Sequence, residues 1–406
     1  MKSRFLKFCL LACIPFFSIT CSESLKLTGN EFLIEGIISN VEDGAVISLS
    51  RWEGDSGTRI EQDTIQNGRF MIKAEAILNP ERMTITVSGD DEFPPMFLGV
   101  WVAPKTKIKI SGKGKMHPLW EVKSPIKYQK EESRYVKNSR DVIAENAKNS
   151  IVRNAAMQKI MAAMMAGSSG DVVLVEKMLV DSLDVLSKQL QLRQTSLNID
   201  LMEKTEISPV WLNKMREIAT AIKYSDPDAE YSAILRKKAE ALYDRMSEDD
   251  KTTHIGYRIT ATLFPPLVVG VGDYFADGDF LDINGNTKHL SDYLGKYLLL
   301  DFWSRGCGPC IMALPEMKEV SETYPENLTI ISISLDPDAA WKDAMKTHDM
   351  PWVNIRDPKA YGGLAANYGV SGIPNYVIIS PEGKIIDKWM GFGNGLIKRK
   401  VSANIK

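Results

Sequence analysis

The chain has 406 residues, of which 44% are hydrophobic and 25% charged. That composition excludes a disordered or collagen-like chain and a multi-span membrane protein, and the length suits two or three domains. Fifty Lys and Arg against 52 Asp and Glu give a formal net charge of −2, so there is no basic excess to draw nucleic acid. Residues 1–20, MKSRFLKFCLLACIPFFSIT, read as an export signal. Lys2, Arg4 and Lys7 form a basic start, and the apolar stretch from Phe8 to Phe17 is too short to span a bilayer. Losing this segment, with three cations and no acids, takes the net charge from −2 to −5.

Ser18-Ile19-Thr20-Cys21 resembles the lipobox of bacterial lipoproteins. The resemblance implies lipid attachment at Cys21, and hence a protein of the cell envelope that faces the periplasm from a membrane. Ordinary cleavage leaving Cys21 as a free thiol is the alternative. Cys9 and Cys13 leave with the signal, so a lipidated Cys21 would make Cys307 and Cys310 the remaining thiols.

Residues 21–125 read as a small β-sandwich-like domain. Short β-branched runs at 32–38, 45–49, 68–72, 83–87 and 107–110 are separated by turn signals such as Asn67-Gly68. The segment resembles the β-domain of unknown function that precedes thioredoxin folds in some bacterial lipoproteins. Residues 126–263 change to a helical period, a spacer or interaction region with breaks at Gly167–Gly170, Ser208-Pro209 and Ser225-Asp226-Pro227. Met157, Met161, Met164 and Met165 are spaced as one helix face with no histidine nearby, which predicts core packing rather than a soft-metal site.

Residues 264–406 alternate strand and helix. A hairpin is predicted over Asn284-Gly285, buried strands at 297–303 and 328–334, helices at 308–324 and 338–348, and a late hairpin over Pro381-Glu382-Gly383. Cys307-Gly308-Pro309-Cys310 falls where the first buried strand gives way to a helix. A thiolate there meets the positive end of the helix dipole, and two intervening residues let a second sulfur close a reversible disulfide. A zinc half-site lacks a second cysteine pair, and the four histidines show no paired spacing. No metal or other cofactor is expected.

Asp301-Phe302-Trp303-Ser304-Arg305-Gly306-Cys307-Gly308-Pro309-Cys310, with Pro315 beyond and Gly372-Ile373-Pro374 later, is similar to the active-site stretch and cis-proline loop of thioredoxins. Residues 264–406 resemble the membrane-tethered thiol–disulfide oxidoreductases of the TlpA and ResA type. The resemblance implies an α/β thioredoxin-like fold, with Cys307 as nucleophile and Cys310 as resolving thiol. Pro374 would be the cis-proline, Ile373 and Trp303 substrate contacts, and Asp301 the buried acid that relays a proton for Cys310. Partners would be disulfide-containing exported proteins and a membrane electron donor of the kind that reduces thioredoxins.

Some tethered relatives carry a glutamate where Ala313 stands here, and Gly306 replaces a common tryptophan. Asp301 is therefore expected to serve the site without help from Glu316. Arg305 either supports the Cys307 thiolate or lies solvated. Two other functions remain open on the residues. One is a thiol peroxidase, echoed weakly by Ser304-Arg305-Gly306-Cys307. The other is a binding lipoprotein that uses the thioredoxin fold as a scaffold.

Overall fold

The computed structural model describes residues 26–405, apart from 54–55, 168–169 and 227–228. Residues 1–20, read above as an export signal, and Cys21 lie outside the described residues. The first eight strands are β1 (Glu31–Ser39), β2 (Val46–Glu53), β3 (Ser56–Thr64), β4 (Arg69–Glu75), β5 (Glu81–Ser88), β6 (Leu98–Val102), β7 (Lys107–Lys113) and β8 (Glu121–Lys123). They form two four-stranded sheets, ordered β4-β1-β7-β8 and β3-β2-β5-β6. Alternate residues such as Phe32, Ile34, Ile47, Leu49, Ile72, Ile85, Val100 and Ile108 fill one core between the sheets, as period-2 patterning requires. Asn67 and Gly68 both take positive φ, 50° and 69°. That is the pair of left-handed residues a two-residue hairpin turn needs, and it launches β4.

Seven helices follow: α1 (Lys127–Asn138), α2 (Arg140–Met165), α3 (Asp171–Met202), α4 (Pro209–Lys223), α5 (Glu230–Tyr243), α6 (Glu248–Lys251) and α7 (His254–Leu263). Ser208 caps α4, its side chain accepting from Trp211 N–H with Pro209 in the first turn, and Thr253 caps α7 through Gly256 N–H. Trp211, Met215, Ile199, Leu235, Leu242 and Ile259 share a core. The helical region is pinned to the β-domain through α1. Glu132 takes both Nε and Nη2 of Arg82, and it also accepts from Trp101 Nε1 at 2.6 Å.

The hairpin of α2 and α3 corrects the reading of the methionines. Met161, Met164 and Met165 are 53%, 66% and 84% exposed. The cause is geometric. The two helices pack mainly on each other toward this end, and a pair of helices can bury only the residues along its seam. Leu174, Val175 and Met178 on α3 are exposed in the same way.

The last part of the chain builds one seven-stranded sheet from β9 (Phe280–Leu281), β10 (Thr287–Lys288), β11 (Tyr297–Trp303), β12 (Leu328–Ser334), β13 (Val353–Arg356), β14 (Asn375–Ile379) and β15 (Ile385–Met390). The order is β10-β9-β13-β12-β11-β14-β15. β11, β12 and β13 run parallel, while β14 and β15 are antiparallel additions. α8 (Gly308–Thr323) follows β11, α9 (Asp338–Thr347) follows β12, α10 (Leu364–Asn367) precedes β14, and α11 (Leu396–Asn404) closes the chain. Leu299, Tyr376 and Ile378 face a layer containing Ala313 and Met317 of α8 and Ile397 and Val401 of α11. Leu298, Leu300 and Phe302 face the opposite layer, with Leu364 and Tyr368. Because β11 to β13 are parallel, the loops after all three emerge at one sheet edge. That edge carries both the cysteines and the 360–362 turn on which α7 docks, with Arg258 over the Tyr361 ring. Among the described residues no helix is long and apolar enough to cross a membrane.

Candidate active site

β11 is continuously buried from Leu298 to Trp303, and the chain leaves it through Ser304-Arg305-Gly306 to reach Cys307. Cys307 is the N-cap of α8, in extended conformation, with Gly308 and Pro309 filling the first turn. Its Sγ accepts from Cys310 N–H at 3.2 Å, and the helix's unpaired N–H groups favour negative charge at that sulfur. Cys307 and Cys310 form a disulfide with Cα atoms 5.2 Å apart. Cys307 is partly exposed, whereas Cys310 is buried. One sulfur is thus open to an external partner and the other is held behind it.

The Ile373–Pro374 peptide bond is cis. Ile373 packs against the cluster that holds Cys307, Cys310, Trp341 and Met350, so the loop before β14 lies beside the disulfide. The Pro374 carbonyl accepts from Gly391 N–H at 2.8 Å, which ties this loop to the end of β15. Exposed Met390 packs over Gly372, where a Cβ would fall 2.9 Å from its sulfur.

Trp303 corrects one expectation. It is 1% exposed, in the same cluster as Cys310. The final residues of β11 alternate under α8 and α9, and this position falls on the helix-covered face. Trp303 supports the disulfide from beneath and cannot meet a substrate at the surface.

Asp301 lies two residues earlier on the same face and is buried. Burial pushes its carboxyl up to about 7, against a weaker downward pull from the Ser332 hydroxyl, which donates to Oδ2 at 2.8 Å. Ser332 sits level with Asp301 on β12, and Tyr376 sits level with it on β14. Glu316, the other nearby acid, is spent elsewhere: it accepts the Gly395 and Lys398 N–H groups at the start of α11. Ala313 is core. Arg305 donates its backbone N–H to Asp336 and its guanidinium to Asp343 of α9. Among the described residues no group of His, Cys, Asp and Glu could hold a metal ion.

Sequence reasoning overlooked Ser332 and Trp352, whose Nε1 donates to Ser332 Oγ at 2.9 Å. A signal existed: Ser332 stands between Ile331 and Ile333 in a buried strand, and such a residue must find a partner.

Residues 271–388 match the AhpC/TSA family. A ResA thiol–disulfide oxidoreductase of Bacillus thuringiensis is 32% identical over 112 residues, which are 27% of this chain and 64% of that protein. The thioredoxin-like protein YneN of Bacillus subtilis is 26% identical over 124 residues, 30% of this chain and 71% of that one. The chain thus spans a little under two thirds of the length of the ResA relative. Among solved structures, the thioredoxin domain of a thiol–disulfide oxidoreductase from Bacteroides vulgatus has 26% identity and a TM-score of 0.31. It covers 33% of this chain and 98% of that one. The C-terminal region has a thioredoxin-like fold, preceded by sheet-rich and helical segments.

Proposed function

We propose that this protein is an extracytoplasmic thiol–disulfide oxidoreductase that reduces protein disulfides through Cys307 and Cys310 by way of a mixed disulfide. The observation that carries the reading is the pairing of a partly exposed sulfur at a helix N-terminus with a buried one three residues on, beside a cis-proline loop.

In the reduced protein the Cys307 thiolate attacks one sulfur of a substrate disulfide. The substrate S–S bond breaks, one substrate sulfur leaves as a thiolate, and a Cys307–substrate disulfide forms. Cys310 then loses its proton to Asp301 and attacks Cys307 Sγ. The mixed disulfide breaks, the second substrate thiolate leaves, and the Cys307–Cys310 disulfide remains. Two electrons have passed from the protein dithiol to the substrate, and a further reductant must restore the dithiol. Ile373 and the Pro374 loop would align the substrate backbone beside Cys307. Gly308-Pro309 between the cysteines and Ile373 before Pro374 resemble reducing members of the fold. Residues 1–21 support export and anchoring through lipid on Cys21, and a membrane electron donor would then supply the dithiol from across the bilayer.

The test uses the mature chain with Cys21 replaced. Cys310→Ser should accumulate a stable mixed disulfide with insulin or another disulfide-containing protein, visible by non-reducing electrophoresis, and Cys307→Ser should form none. The equilibrium reduction potential of the pair then sets direction: a value near the ~−270 mV of thioredoxin makes it a reductant, and one near the ~−120 mV of a strong periplasmic oxidant reverses the assignment.

A further inference from the structure

A buried acid that exchanges protons with a thiol must keep one oxygen available while the other is held. Asp301 is arranged in that way. Its Oδ2 accepts from Ser332 Oγ, and among the described residues its Oδ1 is buried without a hydrogen-bond partner. A third residue favours the direction of the contact to Oδ2. An indole N–H can only donate, so Trp352 Nε1, 2.9 Å from Ser332 Oγ, occupies that oxygen as an acceptor. With one lone pair of that oxygen taken by the indole, the hydroxyl turns its proton to Asp301 Oδ2. While Oδ2 accepts from Ser332, Oδ1 is the oxygen left to take up a proton. Trp352 also packs on the cluster that contains Cys310, so this chain of hydrogen bonds ends at that cluster.

We propose that Ser332, oriented by Trp352, is a positioning residue for the redox pair: it clamps Asp301 Oδ2 and leaves Oδ1 as the oxygen that takes the Cys310 proton. The proposal rests on the thiol–disulfide reading above. In the step concerned the Cys310 S–H bond breaks and an Oδ1–H bond forms. The Cys310 thiolate displaces the substrate sulfur from Cys307, and the departing thiolate is the final acceptor of the proton. No electrons other than the two of the exchange are moved.

The groups facing Asp301 are few. Ser332 faces it from β12. Tyr376 faces it from β14, with its hydroxyl buried and, among the described residues, without a partner. On the α8 side Glu316 is near enough to act on Tyr376 but is held by the first N–H groups of α11. Neither neighbour brings a positive charge, so the Ser332 hydroxyl is the group on hand to favour the carboxylate. A hydrogen bond to a charged group in a low-dielectric site is among the stronger ones.

The experiment follows the reduced, full mature chain with Cys21 replaced as it reacts with 5,5′-dithiobis(2-nitrobenzoate). A first coloured thiolate is released when Cys307 attacks, and a second when Cys310 resolves the adduct. The rate of the second release is measured against pH. In the wild type it should rise through a midpoint set by Asp301. Ser332→Ala should move that midpoint up by about one unit, with a roughly tenfold slower second release at pH 6. Ser332→Thr, which keeps a hydroxyl, should restore it. Trp352→Phe, which keeps the ring and loses the N–H, should shift it in the same direction by less. A first release at the wild-type rate, together with a wild-type far-ultraviolet circular dichroism spectrum, shows that each variant is folded. A second release whose midpoint is the same in Ser332→Ala and wild type overturns the positioning role and leaves the redox reading standing. Failure of the wild type to give the first release overturns the redox reading itself.

Discussion

The carbonyl oxygen of Tyr257 lies where a Cβ on Gly362 would have to go, 2.4 Å from that position. The last helix before the thioredoxin-like region is therefore seated on a backbone that only glycine permits. The contact is reinforced by Lys359 over the Tyr257 ring and Arg258 over the Tyr361 ring, cation–π pairs of modest strength. Gly362→Ala should force α7 away and cost about 1–3 kcal/mol. Limited proteolysis should show faster cutting in the 264–272 connection, whose Leu267, Val268 and Val271 side chains are already exposed. Thiol release from Cys307 should be unaffected, because α8 and the Pro374 loop do not depend on that contact.

Arg82 and Glu132 join the β-domain to the helices and are both largely withdrawn from water. Burial alone would raise the Glu132 carboxyl, but the Arg82 guanidinium and the Trp101 N–H outweigh it and hold it below the usual range. Its folded-state value is depressed, so the pair's contribution is present above the ordinary glutamate range and is lost as pH falls through the lowered value. Removing one partner strands a buried charge. Arg82→Met alone should destabilise by about 3–5 kcal/mol, and Arg82→Met with Glu132→Leu should recover much of that loss. Denaturant unfolding of the single and double variants checks the inequality. A double variant less stable than the single one would contradict it.

For Asp301 the sign is opposite. Burial raises its value from 3.8 unfolded to about 7 folded. Between those two pH values the folded protein holds a proton that the unfolded chain releases, so stability falls as pH rises through the interval and is flat above it. A difference of about three units corresponds to roughly 4 kcal/mol. Asp301→Asn, neutral at every pH, should therefore be more stable than the wild type at pH 8, with the gap closing toward pH 4. The same variant should slow resolution by Cys310. Chemical denaturation of the oxidised proteins at pH 4.5 and pH 8 measures the first effect, and a gap that does not change with pH would refute it.

What was legible in the sequence follows from how local each signal is. β11, β12, α8 and the Asn67-Gly68 turn are written in runs of a few residues, by unbroken apolar strands, a capped helix start and a left-handed pair. β3, with the sequence Ser56–Thr64, was not read because it is an exposed strand rich in charged and polar residues, and pairing with β2 rather than its own pattern makes it a strand. Trp303 and Ser332 were misjudged or overlooked for a related reason. Whether a residue at the end of a strand looks outward, and which polar group stands level with Asp301, are decided by neighbouring strands and by helices dozens of residues away.

The methionines of the α2–α3 hairpin give the sharpest test of that lesson. Helical spacing alone predicted a buried face, yet a face is buried only if something packs on it. Here Met161, Met164, Met165 and Met178 are more than half exposed, while Met202, Met215 and Met317 are fully buried. Oxidation of a thioether needs contact with the oxidant, so exposure sets the rate. Brief treatment of the oxidised protein with dilute hydrogen peroxide, read by peptide mass spectrometry, should convert the first four to sulfoxide at least tenfold faster than the last three. Protection of the hairpin methionines in the isolated chain would mean that another surface covers them in solution. Their oxidation should leave the unfolding midpoint nearly unchanged, because no packed core is lost, whereas slow oxidation at Met215 or Met317 should accompany unfolding.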